Sequence, residues 1–385
     1  IRRAYGGQGG YQRRIGDAEF MTVVIVGAGI SGLSTAWALT KRGVPVTLLE
    51  QGPIPNPLSA SGDQHRIIRR AYGGQGGYQR RIGDAYAAWD EMWDDLGEKH
   101  LAETGFMLLS QEPGDGGEVY RDGLVEGGYP FEDLTPEETA KRFPFVDPST
   151  IRYGAVSDEG GVLLCQKIAA GVRDWLIAKG AEVRENAQVT AVDTSAGTVS
   201  LADGSTVSGE HVIVTAGAWT LGLFPKLDIS LTTYRTAVVY LTPPEDLREA
   251  WERSPAILDP GGPIDGYILP PVAGTGLKFG AGIHKYKAPP NQDRIPVAGE
   301  GETLRDYFSP PFGRIKEYRV DDVVTCAYTF TSDEHFFAMS EGKTTVVSAC
   351  SGHGYKFGAV VGQKLAEGFT GNDMDAARVW LEARD

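Results

Sequence analysis

Residues 22–50 read TVVIVGAGISGLSTAWALTKRGVPVTLLE. The β-branched run TVVIV suits a strand buried on both faces. Gly27, Gly29 and Gly32 follow, and LSTAWALTKRG reads as a helix closed by Gly43. VPVTLLE is a second apolar strand, ending in Glu50. Each piece has a mechanical task. Gly27 permits the tight turn, Gly29 lets the backbone approach a pyrophosphate, and Gly32 lets helix and strand pack closely. The phosphates then sit at the helix N-terminus, near Ile30 and Ser31, where free N–H groups and the dipole favour negative charge. Glu50 can accept both hydroxyl protons of an adenosine ribose and repels a 2′-phosphate. A lone glycine-rich turn is a weak sign, but strand, turn, helix, strand and terminal acid in this order point to a dinucleotide. The motif alone does not choose between FAD and NAD.

A later stretch, AKGAEVRENAQVTAVDTSAGTVSLADGSTVSGEHVIVTAGAW (178–219), helps to choose. It reads as several short alternating strands with Asp-Gly and Ala-Gly turns, then a buried strand whose Ala216-Gly217 brings backbone close to a ligand. A β-meander feeding such a strand is common in FAD proteins. Val189, Ala216, Gly217 and Trp219 are therefore candidate cofactor contacts. The chain leaves the nucleotide domain and re-enters it.

Residues 1–18, IRRAYGGQGGYQRRIGDA, recur letter for letter at 68–85. Structural repeats diverge and occur several times; one perfect copy does neither. Residues 1–20 are read as a duplicate of cloning or assembly origin and set aside. They carry +2 of the chain's −14, so the remaining 365 of the 385 residues carry −16. This acidity argues against general nucleic-acid or anionic-membrane binding, which want basic faces. No uninterrupted apolar run of about 20 residues suits a membrane span. Hydrophobic residues make up 41 % and charged residues 23 %, inside the soluble globular range. Three cysteines, Cys165, Cys326 and Cys350, form no disulfide framework and fit a reducing, cytoplasmic compartment.

Residues 325–357 read TCAYTFTSDEHFFAMSEGKTTVVSACSGHGYKF. Cys326, Tyr328, Thr329, Thr331, Asp333, His335 and Phe336, followed by Ser351, Gly352, His353, Gly354, Tyr355, Lys356 and Phe357, resemble a signature of the monomeric sarcosine oxidase and N-methyltryptophan oxidase family of FAD-dependent amine oxidases. The RIIR run at 66–69 and GLKFG at 276–280 extend the likeness over essentially all of 21–370. The resemblance implies an α/β fold: a Rossmann-like FAD-binding domain interleaved with a mixed or antiparallel-sheet substrate domain, as in D-amino-acid oxidase. The FAD-binding domain is expected at 21–102, 156–230 and 321–385, the substrate domain at 103–155 and 231–320.

The resemblance also implies roles. Cys326 matches the cysteine joined covalently to the flavin 8α-methyl carbon, although a free cysteine is by default a small buried hydrophobe. Lys278 matches the lysine beside flavin N5, where a fixed cation eases electron transfer to O2. Arg69 and Lys356 match the pair that holds a substrate carboxylate, a planar fork plus a point charge. Arg66 matches an arginine lying against the flavin ring. Gly352, Gly354 and Lys356 belong to the flavin-contacting loop that precedes the closing helix GAVVGQKLAEGFTG. Tyr328 is expected as a pocket wall and Tyr267 as a lid. The family places a His four residues before the first arginine; Gly62 stands there, and His65 lies directly before Arg66. His284, six residues past Lys278 rather than four, is taken as the group that shapes the pocket and hydrogen-bonds substrate.

Competing sites are weaker. His335, His353, Cys326 and Cys350 lack the paired spacing of zinc ligands, so no metal is expected. No Ser nucleophile elbow and no P-loop occur. Residues 76–99 read as an amphipathic helix whose Trp pair is core. The implied activity is oxidation of a secondary amino acid, N-methylated or cyclic. A hydride equivalent passes to flavin N5, water hydrolyses the imine, and O2 becomes H2O2. A flavin dehydrogenase, or an oxidase of a primary or larger amine, stays open. The expected partners are a small amino-acid-like amine and O2, and the expected state is a monomer.

Overall fold

A computed structural model describes residues 22–348 and 350–384; the duplicated N-terminal segment lies outside the described residues. Strand β1 (Val23–Val26) has all four residues buried, as a β-branched run flanked by two parallel neighbours requires. It pairs in parallel with β2 (Val46–Leu49) on one side and with His211–Val214 on the other. Glu182–Arg184 extends the sheet beyond β2, while Thr344–Ser348 and the antiparallel edge strand Phe337–Glu341 extend it the other way.

Helices cover one face of this six-stranded sheet. Helix α1 (Ile30–Lys41) buries Leu33, Ala36, Trp37 and Leu39 in one core with residues of Gly76–Leu96, Cys165–Ala178 and Gly358–Thr370. Within Gly76–Leu96, Trp89 and Trp93 stack at 5.0 Å between ring centroids and lie in that core. The other face carries the meander Val189–Asp193, Thr198–Leu201 and Thr206–Ser208, whose Val199, Leu201 and Val207 pack on Val24, Val26, Val212 and Val214.

The second unit is a nine-stranded mixed sheet. Its spine is Thr232–Thr242, paired antiparallel with Arg319–Phe330 along almost its whole length and with Leu277–Ala281 on the other edge. Leu277–Ala281 pairs with Gly266–Leu269, and the sheet continues to Phe106–Ser110 and Tyr153–Ser157. A second core, with Trp251, Phe279, Phe308 and Phe312 at its centre, packs beneath it. Arg319–Phe330 thus belongs to this sheet, whereas the sequence expectation put the nucleotide domain from residue 321 onward. The start of that strand exposes Arg319, Asp321 and Asp322, a polar pattern that hides its pairing. In consequence Cys326 and Tyr328 reach the site from the nine-stranded sheet.

A small three-stranded sheet joins the units: Arg66–Arg69 pairs antiparallel with Gly160–Leu163, which also pairs with Leu101–Ala102. No helix among the described residues is long and apolar enough to cross a membrane.

Candidate active site

Two cavities meet at Tyr328, whose side chain lines both. The first, about 380 Å³, begins at the β1–α1 turn. Its lining includes Gly27, Gly29, Ile30, Ser31 and Glu50, together with Val189, Ala216, Gly217, Trp219, Tyr328 and Thr329. The turn is built for close approach. A Cβ on Gly32 would lie 1.8 Å from the Gly27 carbonyl oxygen, so only glycine packs there. A Cβ on Gly29 would meet nothing nearer than Ser61 Oγ at 3.4 Å, which leaves that backbone open to a ligand. Glu50 is fixed as an acceptor: Oε1 takes Asn56 Nδ2 at 2.9 Å and Gly52 N–H at 3.2 Å, while Oε2 takes Ala28 N–H at 2.7 Å and keeps a lone pair for a ribose. These residues fit a dinucleotide, with Ile30 and Ser31 at the helix N-terminus for its phosphates.

The second cavity, about 300 Å³, is lined by Arg66, Arg69, Tyr72, Tyr267, Lys356 and Gly352 among others. Two buried cations face it. Arg69 sits at the end of its strand with its guanidinium carbon 3.9 Å from the Tyr72 ring centroid, and its Nη1 donates to the Ala71 carbonyl. Arg69 Nε has no hydrogen-bond partner among the described residues. Lys356 Nζ donates to His353 O at 2.7 Å and to Tyr72 Oη at 3.1 Å. Burial and the neighbouring Arg69 charge push the Lys356 ammonium well below the ordinary lysine range. Among the described residues neither cation is hydrogen-bonded to a carboxylate, which is unusual for buried charge. Behind them, His353 is held neutral by burial and by Lys356. Its Nε2 then donates to Glu334 O at 2.9 Å, and Nδ1 takes the Tyr72 hydroxyl at 3.1 Å. Tyr72 is left with an oxygen that points its lone pair at Lys356.

Between the cavities lies a charged cluster. Asp63 Oδ2 is 2.5 Å from Lys278 Nζ and 2.6 Å from Arg66 Nη1. Its other oxygen accepts from Tyr240 Oη at 2.6 Å. Burial pushes the Asp63 carboxyl up, but Lys278 and Arg66 outweigh it and hold the group far below the usual carboxylate range. Lys278 is 0 % exposed and its Nζ sits 5.7 Å from the Tyr267 ring centroid. Arg66 Nη2 reaches Tyr328 Oη at 3.4 Å and Cys326 Sγ at 3.9 Å.

The structure thus brings Arg66, Arg69, Lys278, Cys326, Tyr328 and Lys356 together from four separate elements of the chain. Cys326 and Lys278 are buried and line neither cavity. Gly354 supports the loop from below, where a Cβ would lie 2.1 Å from Cys350 Cβ. His284 does not line either cavity; its Nε2 contacts the Glu300 carbonyl at 3.3 Å. His65 is buried behind the cluster, stacked on Tyr240, with burial and Lys278 pushing it down to about 3. Sequence reading missed Asp63, Tyr72 and Tyr240. The signal for Tyr72 was its place three residues beyond Arg69. For Asp63 it was a lone acid in the loop leading to two arginines.

The family described as FAD-dependent oxidoreductase matches residues 22–368. Peroxisomal sarcosine oxidase of Homo sapiens is 27 % identical over 363 residues, covering 91 % of this chain and 92 % of that protein. Monomeric sarcosine oxidase of Bacillus sp. (strain B-0618) is 28 % identical over 367 residues, covering 90 % and 91 %. N-methyl-L-tryptophan oxidase of Yersinia pestis (strain Pestoides F) is 23 % identical over 354 residues, covering 89 % and 93 %. In fold, L-proline dehydrogenase from P. horikoshii superposes with a TM-score of 0.79 at 19 % identity over 94 % of this chain and 96 % of that one. With its fingerprint turn, its fixed Glu50 and this family match, the chain belongs to the FAD-dependent oxidoreductases.

Proposed function

We propose that this protein is an FAD-dependent oxidase of a secondary amino acid, N-methylated or cyclic, that releases H2O2. One observation carries the reading: Arg69 and Lys356 are buried, face one cavity, and have no carboxylate hydrogen-bonded to either among the described residues, so a ligand carboxylate completes them. The names of the relatives agree, since sarcosine and N-methyltryptophan are both N-methyl amino acids with a free carboxylate. FAD, when bound, supplies a two-electron acceptor that O2 can reoxidise.

The residues of the chain do the rest. Arg69 and Lys356 hold the carboxylate and so fix the amine and its neighbouring C–H bond at the Tyr328 end of the cavity, a proximity contribution. The amine must be unprotonated to release electrons from that bond. No strong base is assigned, so activity rises with pH as the free amine accumulates. Lys278 supplies a fixed cation for oxygen reduction, and Cys326 is the covalent tether to the cofactor, with Arg66 Nη2 3.9 Å from its sulfur.

A panel of sarcosine, other N-methyl amino acids, proline, pipecolate and both enantiomers of common amino acids, read by peroxide, tests the reading. Peroxide with a secondary amino acid supports it. Reduction of the flavin without peroxide in air would mark a dehydrogenase instead. Acid precipitation tests the tether: the pellet is yellow in the parent protein and colourless in Cys326→Ser, and a colourless parent pellet rejects it.

A further inference from the structure

Among the described residues Asp63 is the acid shared by Lys278 and Arg66, and its place is tightly determined. Its side chain is 3 % exposed, and it is shared by two cations at 2.5 Å and 2.6 Å. Two further donors, Tyr240 Oη at 2.6 Å and Gln64 N at 2.8 Å, fix the other oxygen. Lys278 Nζ has a second acceptor in the His65 carbonyl at 3.1 Å, so its direction is set from both sides. A buried carboxylate holding four donors does not swing away. Removing one member of such a set leaves uncompensated buried charge.

We propose that Asp63 is the positioning residue that sets the charge at the redox centre. It fixes Lys278 and Arg66 in place and cancels one of their two positive charges, so the cofactor ring meets a net single positive charge. The proposal rests on the reading of Lys278 as the cation serving that ring. Charge arithmetic makes it testable. Taking Asp63, Lys278 and Arg66 together, the parent protein carries one net positive charge, Asp63→Asn two, Lys278→Met none, and the double variant one again.

The probe is sulfite, an anion that adds to oxidised flavin more tightly as the surroundings become more positive; bleaching of the visible flavin band reads its Kd on FAD-loaded protein. At an effective dielectric near 20, one charge at this range shifts affinity by roughly tenfold or more. The expected order is Asp63→Asn tightest, Lys278→Met weakest, and the parent and double variant together between them. Should Asp63→Asn not fold, the double variant against Lys278→Met carries the test, because their pairs differ only by the acid. A Kd unchanged between those two, while Lys278→Met differs from the parent, overturns the role of Asp63. A Lys278→Met protein that matches the parent in both sulfite binding and reoxidation by O2 instead overturns the underlying reading of Lys278.

Discussion

The indole Nε1 of Trp89 donates to the main-chain carbonyl of Lys356, 2.7 Å away and 267 residues along the chain. The long helix Gly76–Leu96 thereby holds the loop that presents the Lys356 cation, the proposed partner of a substrate carboxylate. Trp89→Phe keeps most of the ring's packing but leaves that buried carbonyl unpaired. The expected cost is about 1–3 kcal/mol of stability, read as a lower melting temperature. KM for a carboxylated amine rises more than kcat falls, because the loop loses its register. An unchanged KM would remove the helix from the account of substrate binding.

Two glycines of one turn are expected to behave differently when changed to alanine. A Cβ at residue 32 would overlap the Gly27 carbonyl oxygen, so Gly32→Ala fails to fold or folds with the turn displaced. Gly29→Ala has room in the protein, and its methyl intrudes only on the ligand. Gly29→Ala therefore gives soluble protein of parental circular dichroism with poor FAD content. Full FAD loading in Gly29→Ala contradicts the placement of the phosphates at this turn.

Lys356 links carboxylate binding to pH. Its ammonium is held well below the ordinary lysine range, so it deprotonates as pH rises through that lowered value. A carboxylate inhibitor without an amine is expected to bind tightly at low pH and progressively more weakly as pH rises. Lys356→Arg stays charged and gives a flatter profile. Titrations of one inhibitor against both proteins across pH decide it; parallel profiles would assign the dependence elsewhere.

The half-buried Asp259 and the buried His65 should tilt stability in opposite directions. Burial raises the Asp259 carboxyl from 3.8 to about 7, so the folded state prefers its neutral form. Stability from this group is complete below about pH 4 and falls as pH rises to 7. His65 is pushed down to about 3 from 6.5, so its contribution is complete above 6.5 and falls as pH drops. Asp259→Asn is expected to raise the melting temperature more at pH 8 than at pH 4, and His65→Gln more at pH 4 than at pH 8. Equal shifts at both pH values would contradict these assignments.

The parts legible in sequence were those with local causes. The β1–α1 turn is dictated by short-range glycine geometry, and the Trp pair by helical spacing. Arg69, Lys356, Cys326 and Lys278 were readable only through resemblance, because elements far apart in sequence meet only in the fold. The pairing of Arg319–Phe330 with Thr232–Thr242 was masked by three exposed charged residues at its start. His284 was placed by its distance from Lys278, but the short 3-10 turn Gly282–His284 aims its ring at a carbonyl away from the cavities. Asp63 escaped notice because an acid in a loop reads as solvated, and only folding puts two cations around it.

The most direct test of the central claim is anaerobic mixing of the FAD-loaded protein with a secondary amino acid it oxidises and, separately, with the same amine lacking its carboxylate. The Arg69–Lys356 anchor predicts rapid flavin bleaching with the amino acid, slow bleaching with the bare amine, and loss of that preference in Arg69→Ala. Equal rates for the two amines, or a preference that survives Arg69→Ala, would contradict it.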